Sequence, residues 1–343
     1  MMLDLIAIGD VTIDTFIELD AIASLQCNRD HQHCSLCIPF GTKLGVSKVQ
    51  KIWGGNSGNA AVGAARLGLT SALYSEVGLD QDGNLIFDSL RHSNVSTKYL
   101  VRDKTEKTNI HYVLSYHGER TILVHHQPRK YIFPHLDMAR WVYFSSTAKD
   151  GKKILSPLLQ YLQKTNAKLA FNPGTYQLNW GISGLKSIIQ KCAIFFVNKE
   201  EAQLLLGTSS ADFGFLMKKL CTLGPKITVI TDGENGAYCY DGINFLYCPI
   251  YKVSIVERTG AGDSFAIGFV SALIYGKSIS EALRWGSINA AGVIQQIGPQ
   301  EGLVRLPLLQ RILNTNTLFK PRNFTGKEMK KNRGYLPKKY KRF

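Results

Sequence analysis

From Trp141 onward, short apolar runs alternate with amphipathic stretches, and this alternation constrains the fold more than any other feature of the chain. Strands are predicted at Trp141–Ser145, Lys168–Phe171, Ala193–Val197 and Ile227–Thr231, and helices over 151–164, 182–190, 199–206 and 211–222. A strand that returns through a helix runs parallel to its predecessor, so the unit expected is α/β, a mostly parallel sheet with helices packed on it. The apolar run Leu3–Ile8, and Ala72–Val77 followed by the amphipathic Asp80–His92, carry the same pattern into the N-terminal part. With 343 residues, 45% of them hydrophobic, the chain can bury the core of one large α/β domain or two smaller ones. No run of about eighteen apolar residues occurs, and Met1-Met2-Leu3-Asp4-Leu5-Ile6 lacks the basic region and cleavage site of a signal peptide. A cytoplasmic protein without a membrane partner is expected.

Some segments break the alternation. Val11–Leu19, Ser47–Ile52 and the hairpin Asn109–Ser115/Arg120–Val124, turning at His117-Gly118-Glu119, read as a small accessory sheet. Between the first two lies an insert containing Cys27, His31, His33, Cys34 and Cys37. Its Cys34-x-x-Cys37 pair with Cys27 suggests a zinc clasp, weighed against a loop with free thiols or a local disulfide; the second CxxC of a structural zinc site is missing. Seven cysteines are an odd number for a disulfide framework, and Cys192, Cys221, Cys239 and Cys248 sit in apolar contexts that suit reduced core thiols. His111, His117, His125 and His126 show no metal-ligand spacing, and one or two read as surface or packed residues.

The chemistry concentrates in Glu257-Arg258-Thr259-Gly260-Ala261-Gly262-Asp263-Ser264-Phe265, which opens a helical pattern over Phe265–Tyr275. Glycines at a loop-to-helix junction let amides approach an anion, which the helix N-terminus favours electrostatically. Asp263 lies at the same end, where the helix dipole is expected to hold its carboxylate ionised and ready to take a proton from a substrate hydroxyl. Asp14 falls near the carboxyl edge of the sheet, where open α/β proteins bind ligands. Trp53-Gly54-Gly55-Asn56-Ser57-Gly58-Asn59 is a glycine-rich turn into a helix of small residues, and its asparagines suit the reading of hydroxyls. Asn198 and Glu201, three residues apart on one helical face, suit either a water-coordinated Mg²⁺ or a helix cap. Thr231-Asp232-Gly233-Glu234-Asn235-Gly236 ends a strand and leads into an antiparallel hairpin. Tyr275-Gly276-Lys277-Ser278 imitates the end of a Walker A loop but follows a helix, and no G-x-G-x-x-G turn follows the first strand.

Over roughly residues 3–310 these motifs, in this order, resemble the PfkB or ribokinase-like kinases. Gly54-Gly55-Asn56-Ser57-Gly58-Asn59 with Ala64-Ala65-Arg66-Leu67-Gly68 is similar to the first family signature, and Thr259–Phe265 to the second. Asn198-x-x-Glu201 and Thr231-x-Gly233-x-x-Gly236 are similar to the intervening motifs. The resemblance implies a three-layer α/β/α kinase domain over 1–310 with a β-sheet lid from about 11–20, 45–53 and 108–126, the cysteine insert at 21–44, and a basic tail at 311–343. It implies ATP-dependent phosphate transfer to a hydroxymethyl group of a sugar, or of an adenosine-type nucleoside. Asp263 would be the base and the amides of Gly260, Ala261 and Gly262 the anion hole. Asp14, Gly54, Gly55 and Asn59 would hold the acceptor. Asn198 and Glu201 would order Mg²⁺ through water, while Asn198, Thr231, Gly233, Gly236 and Asn289 would lie along the nucleotide. Glu257, where relatives carry an aspartate, and Thr259 mark a candidate monovalent-cation site, so activation by potassium is an open expectation. The lid is a candidate contact for a homodimer.

The net charge of +15 is uneven: 311–343 carries eleven Lys or Arg against Glu328 alone. Basic and aromatic residues interleave there, a composition that fits a solvated tail before it fits RNA binding. A silent sugar or nucleoside sensor and an RNA-associated protein are the rival readings. Asp263, which a sensor would not need, counts against the first.

Overall fold

Successive residues of the central strands bury into opposite cores, as the two-residue repeat of a pleated strand requires. Trp141 and Tyr143, Ala170, Ile194 and Phe196, and Val229 pack on one face, with the helices Asn56–Arg66, Ala261–Ile274 and Ile279–Val293. Val142 and Phe144, Leu169 and Phe171, Phe195 and Val197, and Ile230 pack on the other, with Leu155–Thr165, Gly181–Ile189, Lys199–Leu206 and Phe213–Cys221. Two apolar faces on every strand explain why these runs are nearly continuous in hydrophobic residues. The computed structural model describes residues 2–19, 24–27, 34–116 and 119–324, with the backbone alone for 24–27, 34 and 119.

Leu3–Ile8 is central to the larger sheet, flanked in parallel by Ser71–Gly78 and Ala139–Phe144. Lys168–Phe171, Cys192–Asn198 and Ile227–Thr231 continue the parallel order outward. Ala237–Tyr240, Phe245–Cys248 and Arg322–Asn323 complete that edge in antiparallel pairing. The smaller sheet places Thr12–Leu19 between Val46–Gly54, antiparallel, and Ile110–Tyr116, parallel, with Glu119–His125 at its edge. Only three residues separate the end of the first central strand from the start of Thr12–Leu19, so the two sheets meet where the parallel strands finish. The architecture is the α/β layering with a small second sheet that the sequence implies.

Several boundaries differ from expectation. The predicted helix over 151–164 is a 3₁₀ turn at Lys149–Ile154 followed by Leu155–Thr165, because Pro157 lacks an amide and fits only a first turn. The division at 310/311 falls inside a helix, Leu306–Thr315, whose Leu309 and Leu313 are buried. Beyond it Arg322–Asn323 joins the sheet and Phe324 is buried, its amide donating to Phe245 O at 2.8 Å. The basic composition of this region hid an apolar stripe of short length. The insert forms its own ribbon, Ser24–Cys27 against Cys34–Cys37, with Cys27 opposite Cys34. The side chains of Cys27 and Cys34 that the zinc reading needs lie outside the described residues, and Cys37 is a free thiol.

Candidate active site

The helix Ala261–Ile274 starts from Gly260, whose φ of 78° is left-handed and whose Cβ position lies only 2.6 Å from Pro299 Cβ. A side chain there would be both strained and blocked, which is why the turn needs glycine. Gly262 is the opposite case: nothing lies within 4 Å of its Cβ position, so the first turn of the helix faces open space. The Ala261 amide reaches back to Arg258 O at 3.4 Å, a long bond that closes the turn. First-turn amides have no intrahelical acceptor, so this end offers donors to an anion.

Asp263 sits on that turn, 8% exposed, with Oδ2 accepting from Asn59 Nδ2 at 2.9 Å. Asn59 is fixed in turn by Gln300, whose Nε2 donates to Asn59 Oδ1 at 3.1 Å. Burial pushes the Asp263 carboxyl up to about 7; the Asn59 bond pulls it down, and the charges of Glu201 and Asp14 push it further up. This corrects the expectation that the helix dipole holds the group ionised. Removing the carboxylate from water outweighs a partial charge that acts across one turn.

Asp14 faces the same space from the lid strand, 7% exposed, with His111 Nδ1 3.4 Å from its Oδ1. The Cβ position of Gly54 lies 3.2 Å from Asp14 Oδ2, 3.7 Å from Asn59 Oδ1 and 3.0 Å from Pro299 Cγ. Gly54 therefore marks the point where lid, signature helix and C-terminal loop converge. Gly55, at φ 100°, caps the Asn56–Arg66 helix against Asp10 O.

Asn198 and Glu201 form a reciprocal cap: Asn198 Oδ1 accepts from the Glu201 amide and Glu201 Oε2 from the Asn198 amide, each at 2.8 Å. The cap leaves Glu201 Oε1 and the side-chain nitrogen Asn198 Nδ2 uncommitted. Burial raises the Glu201 carboxyl, and its influence on Asp263 places the two acids in one field. Asn198 pairs in register with Thr231, so both stand at the carboxyl edge of adjacent strands. Gly233, open at its Cβ position, and Gly236, closed against Cys248 O, frame the turn that follows. Asn289 is 0% exposed, its amide donating to Ser264 O at 2.7 Å and accepting from the Val304 amide at 2.9 Å. Its side chain is committed to bracing the signature helix rather than turned toward a cleft. Among the described residues no group of three or more His, Cys, Asp or Glu is arranged to hold a metal ion.

Glu257 and Thr259 are bound together. Glu257 Oε1 accepts from the Thr259 amide at 2.8 Å and from Thr259 Oγ1 at 2.5 Å. Arg120, on the lid edge strand, donates both to Glu257 Oε1 and to Thr259 Oγ1.

Other contributors escaped the sequence reading. Asp10, 4% exposed, accepts from Tyr131 Oη and the Ala148 amide, each at 2.8 Å, and has His126 Nδ1 3.5 Å away. His111 and His126 are in edge contact at 5.1 Å between ring centres, and Tyr176 extends the row at 5.4 Å from His126. Asp10 carried a signal, standing just past the first strand. The histidines carried none beyond the hairpin pattern, and Gln300 and Arg120 none at all.

Fold and family match together define a phosphotransferase acting on sugar, with a small second sheet where the parallel strands end. The chain belongs to the family described as pfkB family carbohydrate kinase, whose model matches residues 21–305. An "Uncharacterized sugar kinase" of Archaeoglobus fulgidus is 26% identical over 258 residues, spanning 71% of this chain and 99% of that protein. The structure of Arabidopsis thaliana ribokinase complexed with ribose and ATP superimposes with a TM-score of 0.76 at 20% identity, covering 91% of this chain and 99% of that one. Methanocaldococcus jannaschii nucleoside kinase gives 0.74 at 19% identity, covering 92% and 99%.

Proposed function

We propose that the protein transfers the γ-phosphate of ATP to a hydroxymethyl group of a sugar. The observation that carries this reading is Asp263, held by Asn59 beside an open helix start. An aliphatic alcohol is too weak an acid to be deprotonated beforehand, so proton transfer accompanies bond formation in a loose transition state. Asp263, poised near neutrality, takes that proton, and the helix-start amides of Gly260–Gly262 receive the charge on the phosphoryl oxygens. Asp14, Gly54, Gly55 and Asn59 hold the acceptor, with Asp14 accepting from its hydroxyls. Thr231, Gly233 and Gly236 border the nucleotide, and Asn289 acts behind them by fixing the signature helix. Asn198 and Glu201 would hold Mg²⁺ through water; bound there, the ion neutralises phosphate charge. The lid excludes water, which suppresses hydrolysis of ATP.

A nucleoside acceptor is the second reading. The row His111, His126 and Tyr176 beside Asp14 favours it, since ring edges and faces suit a base as well as a sugar. Exposed Val49, Tyr112 and Leu123, which share one face of the small sheet, support a homodimer formed through it. No helix among the described residues is long and apolar enough to cross a membrane, and a cytoplasmic small-molecule kinase is the setting we assign. The test is ADP release from Mg-ATP across a panel of sugars and nucleosides, against the reaction without acceptor. Release with at least one sugar supports the proposal; release with nucleosides alone selects the second reading, and no acceptor-dependent release rejects both.

A further inference from the structure

We infer that Arg120 is an internal substitute for a monovalent cation at the loop preceding the anion hole, so that turnover is independent of potassium and tied to the docked lid. Glu257 and Thr259 do not fit an ion. Glu257 Oε1 already receives three donors, two from Thr259 and one from Arg120. Thr259 Oγ1 donates to that oxygen and accepts from Arg120 as well, so its proton and one of its lone pairs are engaged. Glu257 Oε2, buried without a hydrogen-bond partner, is the acid oxygen that remains.

Charge argues the same way. A guanidinium neutralises the single carboxylate, and an ion added beside it would meet a fixed positive charge within bonding distance of the same atoms. The Glu257 side chain reaches the lid strand, where Arg120 pairs with it. The loop is anchored on its other flank, where the amides of Val256 and Glu257 both donate to Ile294 O, at 2.8 and 3.2 Å. Arg120 therefore completes a clamp around Thr259, the residue that precedes Gly260. Both bonds leave from a single nitrogen, Arg120 Nη1, at the end of a side chain longer than lysine's. Arg120 is a positioning residue: it acts on the phosphate site through Glu257 and Thr259.

The test compares the full chain with Arg120→Met and Arg120→Lys in potassium and in tetramethylammonium salts of equal ionic strength. The turnover arm rests on the kinase reading; a thermal-melting arm does not, so failure of that reading leaves this inference decidable. Wild-type kcat and Tm should be the same in both salts. Arg120→Met should lose about tenfold or more in kcat in tetramethylammonium, and potassium or guanidinium should restore part of it and raise the Tm of this variant alone. Arg120→Lys should recover less than half of the loss. Activation or thermal stabilisation of the wild type by potassium would overturn the inference. So would an Arg120→Met loss that neither ion relieves, or an Arg120→Met protein with wild-type kcat and Tm in tetramethylammonium.

Discussion

A carboxylate taken from water is at once a better base and a burden on stability, and Asp263 shows both effects. With its proton affinity raised to about 7, kcat/KM should fall about tenfold per pH unit below that value and level off above it. A limb near pH 4 would mean that burial does not govern the group. The folded state binds this proton more tightly than the unfolded chain, whose value is 3.8. The stabilisation is therefore full below about pH 4 and is lost as pH rises through about 7. Asp263→Asn, which needs no proton, should accordingly gain in Tm relative to wild type at pH 8 compared with pH 5. Equal differences at the two pH values would refute the assignment. Gly260→Ala should cost on the order of 1–3 kcal/mol, because φ is 78° and Pro299 Cβ stands 2.6 Å from the added atom; denaturant melts measure it.

The elements that carry the site were legible to different depths. The strand runs and the loop-to-helix starts at Asn198 and Gly260 could be read because their signals are local: two-sided apolar strands, an asparagine with a glutamate three residues on, glycines before an apolar helix. Asn198 and Glu201 also form the cap that their spacing equally allowed, and Asn198→Ala should cost about 1 kcal/mol through the cap alone. If the pair also orders Mg²⁺, the KM for Mg-ATP should rise as well; a change confined to Tm would leave only the cap. The C-terminal edge was not legible, because a two-residue strand in a basic region has no periodicity. Phe324 packs edge-on to Tyr238 at 5.1 Å between ring centres. Phe324→Ala should therefore destabilise by about 3 kcal/mol, whereas an unchanged Tm would place the tail boundary before it.

At the scale of the whole molecule, the site exists only where distant segments meet. Gln300 orients Asn59 from 241 positions away, and Arg120 reaches Glu257 across 137. No spacing rule connects residues so far apart, so the motifs showed which elements matter while the fold alone shows which side chains finish the site. The same reason explains Asp263: its helix start was evident in the sequence, but its partner Asn59 and the charges of Asp14 and Glu201 that act on it come from three other elements. On the proposed reading, everything in this arrangement converges on one proton acceptor beside one anion site. The direct test is the turnover of Asp263→Asn with its best acceptor, measured alongside acceptor affinity. We expect affinity to remain within a few-fold of wild type and kcat to fall on the order of a hundredfold or more; an asparagine variant with near-normal kcat would contradict the account.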